Sequence, residues 1–297
     1  ELQIISGTFN AEYGQAQSGV INIITKDPGR QFSGHLALYG GDRFSKNLST
    51  FPGIDELHPQ NIQNFEGRIA GPLPFFNKIG IYLSGRYFSD ANYLTGIQLA
   101  RPKDAWQIAA YDTWYRRKFP NDPAVWSGII EIPDFLFTGD GKIVAMDPLK
   151  HLSLNAKFVS RPFPALRTSY SIFVENESGR DYDAPERYTP DALKHVYHKF
   201  QMHTLSVNHT LSPRLFYTVN LNYSKSSREA YLFSDLLSPK LQTVSPERGR
   251  FNLGGTKSGK DLVETDKLLG KMDWNWQLDN YQLFKFGIEG TTHRIRF

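Results

Sequence analysis

The chain has 297 residues, a formal net charge of +4 and a mean hydropathy of −0.44, enough length for one large β domain or two smaller ones. No apolar run approaches the ~18 residues of a membrane-crossing helix. Basic and acidic residues alternate without blocks and point to no nucleic-acid partner, while zero Cys removes disulfides, thiol catalysis and Cys-ligated zinc.

The chain opens inside a strand candidate, Leu2 to Ile5, with no signal peptide before Glu1, which fits a sequence that continues upstream. A turn of small residues, Tyr13-Gly14 to Ser18-Gly19, then leads into the apolar run Val20 to Ile24, which stops at Thr25-Lys26. The glycines permit close backbone approach or positive φ, and the Val/Ile run reads as a strand packed on both faces.

After Lys26-Asp27-Pro28-Gly29, nine strand candidates follow with period-two alternation. They run over about Gln31–Gly41, Asn61–Gly71, Lys78–Asp90, Leu149–Ser160, Leu166–Asn176, His198–Leu211, then from just after Ser212-Pro213 to about Ser224, from about Lys260 to Gln277 after a long loop at about Lys225 to Lys260, and over Gln282–Phe297. In the third, Ile79, Ile81, Leu83 and Gly85 oppose Gly80, Tyr82, Ser84 and Arg86. The seventh sets Leu215, Tyr217, Val219, Leu221 and Tyr223 against Thr218, Asn220, Asn222 and Ser224. Connections alternate between short turns, such as the one around Pro164, and long polar segments, the longest being about Ala91 to Pro148.

A soluble sandwich gives the same alternation. Strand length separates the two readings, because a tilted bilayer crossing needs about ten residues and soluble strands average ~5–6. The rhythm of short turn and long loop also matches outer-membrane barrels, and 14% aromatic residues suit their girdles. Phe75, Phe76, Phe163, Phe216, Trp274, Trp276 and Tyr281 lie near the short turns and are girdle candidates. The expected fold is therefore all-β: an antiparallel transmembrane β-barrel, partial at about nine strands, after a short preceding segment. Nine strands do not close a conventional bacterial barrel, and an open edge in lipid leaves backbone groups unpaired, so the chain reads as a fragment.

The segment Thr8-Phe9-Asn10-Ala11-Glu12-Tyr13-Gly14 through Ser18-Gly19-Val20-Ile21-Asn22-Ile23-Ile24-Thr25-Lys26 resembles the end of the plug in TonB-dependent outer-membrane receptors, best in the subfamily with an N-terminal carboxypeptidase-regulatory-like domain. The resemblance is specific over about Thr8 to Lys26 and rests on hairpin rhythm beyond. It implies a plug end at residues 1–28 and the first part of a barrel at 29–297. It also implies ligand-gated active import of a scarce nutrient (siderophore, oligosaccharide, peptide or similar) across the Gram-negative outer membrane, with no cofactor and no catalysis. Implied partners are the TonB–ExbB–ExbD complex, reached through a segment outside this chain, outer-membrane lipid, and a small or oligomeric nutrient. Tyr13, Gly14, Ser18, Gly19, Asn22 and Thr25 would pack and hydrogen-bond inside the lumen. Two rivals are a passive outer-membrane porin or adhesin barrel and a soluble secreted carbohydrate-binding β protein.

Other candidate chemistry is weaker. Gly254-Gly255-Thr256-Lys257-Ser258-Gly259-Lys260 has P-loop spacing, yet Asp261 stands where the Mg²⁺-ligating hydroxyl belongs, so a flexible surface loop is expected. His195 and His198, near Asp181, Asp183 and Glu186, lack a supporting ligand framework for a metal. Asp140-Gly141, between Phe135-Leu136-Phe137 and Ile143-Val144, reads as a hairpin turn. Trp106, Tyr111, Trp114, Tyr115 and Trp126, in the longest loop, either pack that loop or capture a ligand on their ring faces.

Overall fold

The computed structural model describes residues 2–6, 19–23, 26–48, 50–74, 76–235, 237–241 and 244–297, the first two segments as backbone. Strand β1 (Leu2–Ser6) pairs antiparallel with β2 (Gly19–Ile23). Then come β3 (Ser33–Gly41), β4 (Ile62–Leu73), β5 (Phe76–Asp90) and the short β6 (Thr95–Ile97). Two helices, α1 (Ala105–Lys118) and α2 (Pro123–Ser127), precede β7 (Ile143–Ala145), which pairs with β6. The chain continues through β8 (Leu149–Phe163), β9 (Leu166–Arg180), β10 (His195–Ser212) and β11 (Leu215–Tyr231). A two-residue pair, β12 (Glu247–Arg248) with β13 (Phe251–Asn252), leads to β14 (Asp261–Gln277) and β15 (Leu283–Arg296).

Among the described residues, nine strands form one antiparallel sheet in the order β15-β14-β11-β10-β9-β8-β5-β4-β3, so every strand lies beside its neighbour in the meander. All nine match the expected strands, mostly within a few residues, but β11 runs on to Tyr231, past the expected start of a long loop at about Lys225. The strands reach 18 residues in β10, far beyond a typical soluble strand. Pro74, Pro164 and Pro213 sit in tight turns at one end of the sheet, where a missing N–H costs no ladder bond. No described helix is long and apolar enough to cross a membrane, which says nothing about crossing by strands.

Pairing register makes the sheet two-faced. Leu36, Gly67, Gly85, Leu154 and Val174 lie side by side on one face. The opposite face is polar and internally bonded: Arg86 Nε donates to Asn64 Oδ1 at 2.7 Å, Asn222 Nδ2 to Thr204 Oγ1 at 2.8 Å, and Thr218 Oγ1 to Asn208 Oδ1 at 2.8 Å. On the apolar face Leu36 is 71% exposed and Ile288 75%, with no second layer of described residues over either. A water-soluble globule would cover such a face.

The apolar band crosses the strands on a slant. The ladder row through Leu36 and Val174 continues to Gln201, Lys225, Asp266 and Arg294. Nearer the short turns, the row Phe286–Trp274–Tyr217 is aromatic. Of the girdle candidates, Phe216 is corrected by register: it pairs with Asn275 on the polar face, out of phase with Tyr217. Phe75 lies outside the described residues.

The long connections are folded against one another at the other end of the sheet. Two further expectations are corrected here. Gly141 does adopt a positive φ of 71°, but β7 pairs with β6 rather than with Phe135–Phe137, where a 3-10 turn covers Asp134–Leu136. The glycine-rich segment is packed at its start, where Gly254 and Gly255 are buried and the Gly254 N–H donates to Thr189 Oγ1 at 2.9 Å, while Ser258, Gly259 and Lys260 are exposed as a surface loop would be.

Candidate functional site

Two places combine charge and shape. The first is the segment before β3, which crosses the polar face. A Cβ on Gly80 would lie 2.5 Å from Pro28 Cγ, so only glycine admits Pro28 there. In the ladder, Gly80 pairs with Val159 and Val159 with Ser169, both buried, giving a low track for the crossing. At its far end the Asp27 carboxylate meets Lys157 Nζ at 2.8 Å, Arg167 at 2.6 Å and Arg161 at 3.6 Å. Burial alone would raise the Asp27 carboxyl. Hydrogen bonds from Lys157 and Arg167, with their charges, outweigh that and hold it below its ordinary value.

The second place is the cap built from the long loops. Ile108 of α1, Ile130, Ile132 and Leu253 form a small buried core, with Tyr111, Tyr115 and Tyr188 packed around it. Polar bonds join the same segments. Asn252 Nδ2 donates to Glu186 Oε1 at 2.6 Å, Lys257 Nζ meets Asp183 at 2.8 Å, and Gly255 N–H donates to Pro102 O at 3.0 Å. Gly96 sits where three segments converge: a Cβ there would lie 2.6 Å from Arg187 O and 2.7 Å from Met146 Sδ. Thr95 Oγ1 donates to Pro52 O at 2.8 Å and draws in the first long loop. Burial raises the Glu186 carboxyl, partly opposed by Asn252 and Lys257, and its Oε2 is buried without a hydrogen-bond partner among the described residues.

The five aromatic candidates divide. Tyr111 and Tyr115 face the small core, and Tyr115 OH donates to Asp122 Oδ2 at 2.7 Å, so they hold the loop together. Trp106 and Trp114 are both exposed, and the Trp114 ring also lies 5.6 Å from that of Tyr111 and 6.2 Å from that of Phe119. The two tryptophans line a groove of about 630 Å³ with Ala109, Ala110, Thr113, Arg117, Lys118 and Val244. Trp126, on α2, is 79% exposed and lies outside that groove. Sequence reasoning missed Arg117, Lys118 and Val244. The basic run Arg116-Arg117-Lys118 after a Pro102/Asp104 start was the available signal of a helix ending in positive charge.

Of the plug-closing residues, Tyr13, Gly14, Ser18 and Thr25 lie outside the described residues, and Gly19 and Asn22 are in β2. His195 and His198 are three positions apart on β10 and point to opposite faces. No group of three or more His, Asp or Glu among the described residues could hold a metal.

No protein-family model matches the chain, and no curated protein matches it. Solved structures do. The outer membrane transporter YddB from Escherichia coli aligns with a TM-score of 0.60 at 12% identity, covering 98% of this chain and 34% of that one. The siderophore receptor PirA from Acinetobacter baumannii aligns at 0.59 and 13%, covering 99% and 35%. A mutant of the ferric enterobactin receptor PfeA from Pseudomonas aeruginosa aligns at 0.59 and 13%, covering 99% and 36%. The chain thus spans about a third of the length of these proteins. The likeness is one of fold: the nine-stranded sheet has the architecture of part of their barrels.

Proposed function

We propose that residues 29–297 are the first part of the transmembrane barrel of a TonB-dependent importer and residues 1–28 the end of its plug. The full-length protein would sit in the outer membrane of a Gram-negative bacterium and draw a scarce nutrient inward under TonB–ExbB–ExbD power. The observation that carries this reading is the bare apolar face of a sheet with the fold of outer-membrane receptor barrels. Bilayer hydrocarbon is the partner such a face needs. The long-loop end would face outward and the short turns the periplasm.

The polar face suits a wet lumen, where a plug can be held by reversible hydrogen bonds and ion pairs. Asp27 supplies one such contact at the plug–barrel junction. Gly19 and Asn22, with Tyr13, Gly14, Ser18 and Thr25, would close the plug by packing and hydrogen bonding in that lumen. A passive porin has no need of a strap drawn across its wall and pinned at Asp27.

The test is uptake by cells expressing the full-length protein, with and without TonB. Import that stops when TonB is removed supports the proposal. Import that continues unchanged points to a passive pore, and extraction of the full-length product into buffer without detergent ends both membrane readings.

A further inference from the structure

We infer that the groove between α1 and Val244 is a binding site for an anionic oligosaccharide, an assignment that rests on the import proposal and names its substrate class. Trp106 and Trp114 are eight residues apart on one helix, a rise of about 12 Å, and both line the groove. Between them the floor is Ala109, Ala110 and Thr113, small enough to let a ligand lie close to the helix. Both indoles are exposed, Trp106 at 59% and Trp114 at 46%. A flat apolar ring face open to water is a stacking platform for another flat, partly apolar ring.

The groove is also positive at one end. Arg116 is neutralised by Asp112 at 2.8 Å. Neither Arg117 nor Lys118 makes an ion pair with an acidic side chain among the described residues. Lys118 Nζ lies over the Trp114 ring, 4.7 Å from its centroid, so the second platform carries a cation on one of its faces. The Arg117 guanidinium, in the same groove lining, offers a carboxylate or sulfate a bidentate partner while the sugar ring stacks.

Spacing selects an extended ligand, since a compact aromatic anion would meet one tryptophan and leave the other in water. An extended peptide is less suited, because peptides commonly bind by adding to an open strand edge and α1 uses its backbone groups internally. The remaining chemistry is a chain of rings with negative substituents.

The experiment uses the full-length protein in detergent, with intrinsic tryptophan fluorescence and calorimetry as readouts. The probes are trimers of galacturonate, a sulfated galactan trimer, a neutral glucan trimer, an acidic hexapeptide and ferric dihydroxybenzoate. At least one acidic trimer is expected to bind about tenfold more tightly than the neutral one. R117Q/K118Q should erase that preference, and W106A/W114A should weaken all trimers by about tenfold. All four side chains are exposed, and the charge variant leaves the helix core untouched. The inference is overturned if no acidic trimer exceeds the neutral one, if neither double variant changes binding, or if the peptide or the iron complex binds more tightly through the same residues. Import of some other nutrient that needs TonB but ignores all four residues would sink this site and leave the import proposal standing. Binding that meets expectation without TonB-dependent uptake would do the reverse.

Discussion

Arg167 and Asp27, 140 positions apart in the chain, meet at 2.6 Å, with Lys157 sharing the same carboxylate at 2.8 Å. Asp27 belongs to the segment entering the sheet, and its partners belong to the fourth and fifth strands beyond. The entering segment is therefore tied to the wall well before its own first strand begins.

Replacing Asp27 with Asn should free that segment. These 297 residues lack Cys, so with any Cys elsewhere in the full-length protein replaced, a spin label on R30C reports the segment without background. In the full-length protein D27N should sharpen the spectrum, and D27E should restore part of the order. An unchanged spectrum in D27N would refute the tie. Because Asp27 is held below its ordinary value, its contribution is present above the unfolded value and is lost as pH falls through the folded one. Mobility should thus stay flat from neutral pH and rise only below the usual carboxylate range.

Glu186 should behave with the opposite sign. Burial raises its carboxyl in the cap, so its contribution is present below the ordinary value and is lost as pH rises through the raised one. Asp183, Lys257 and Asn252 are the groups that face it. Protection of the amides at 251–254, relative to their intrinsic exchange rates at each pH, should rise on acidification from neutral pH. E186Q should protect those amides at every pH, and a variant that keeps the wild-type pH profile would show that another group is responsible.

Leu253 is 3% exposed in the small core it shares with Ile108, Ile130 and Ile132. L253A should destabilise the cap by about 2–4 kcal/mol. The expected signature is faster exchange in residues 105–137 and 251–255 together, with the nine strands unaffected. Faster exchange confined to one loop would contradict a shared core.

Neighbouring residues on β11 test which face meets hydrocarbon. Leu221 pairs with Leu205 and Gly270, while Asn220 pairs with Ser206 and Lys271. L221R should cost roughly 2–4 kcal/mol in bilayer refolding of the full-length protein, and N220R should cost far less. Equal costs would mean that both faces lie in similar surroundings.

The nine strands were legible because a sheet with one wet face and one apolar face writes its period directly into the chain, as in Leu215 to Ser224. The cap was not legible. Helix α1 buries only Ala105 and Ile108, so no apolar stripe announced it, and its aromatics are spread around the helix. Its tryptophans were visible, but their division into Trp106 and Trp114 on a groove and Trp126 apart from it depends on Leu253 and Val244 arriving from far along the chain. Asp27 had no role legible in the sequence, because its three cations come from other strands. Local pattern determines which side of a strand is oily, whereas contacts across long sequence separations do not leave a local period.

The diagonal course of the oily zone adds a second lock on strand alignment. A slip of one residue would turn each strand inside out, but a slip of two would keep every side chain on its proper side. In the proposed bilayer setting, such a slip moves a strand's oily stretch by about 7 Å, which would push Lys225 or Arg294 toward the acyl chains or lift Trp274 out of its depth. Depth thus punishes the errors that sidedness forgives.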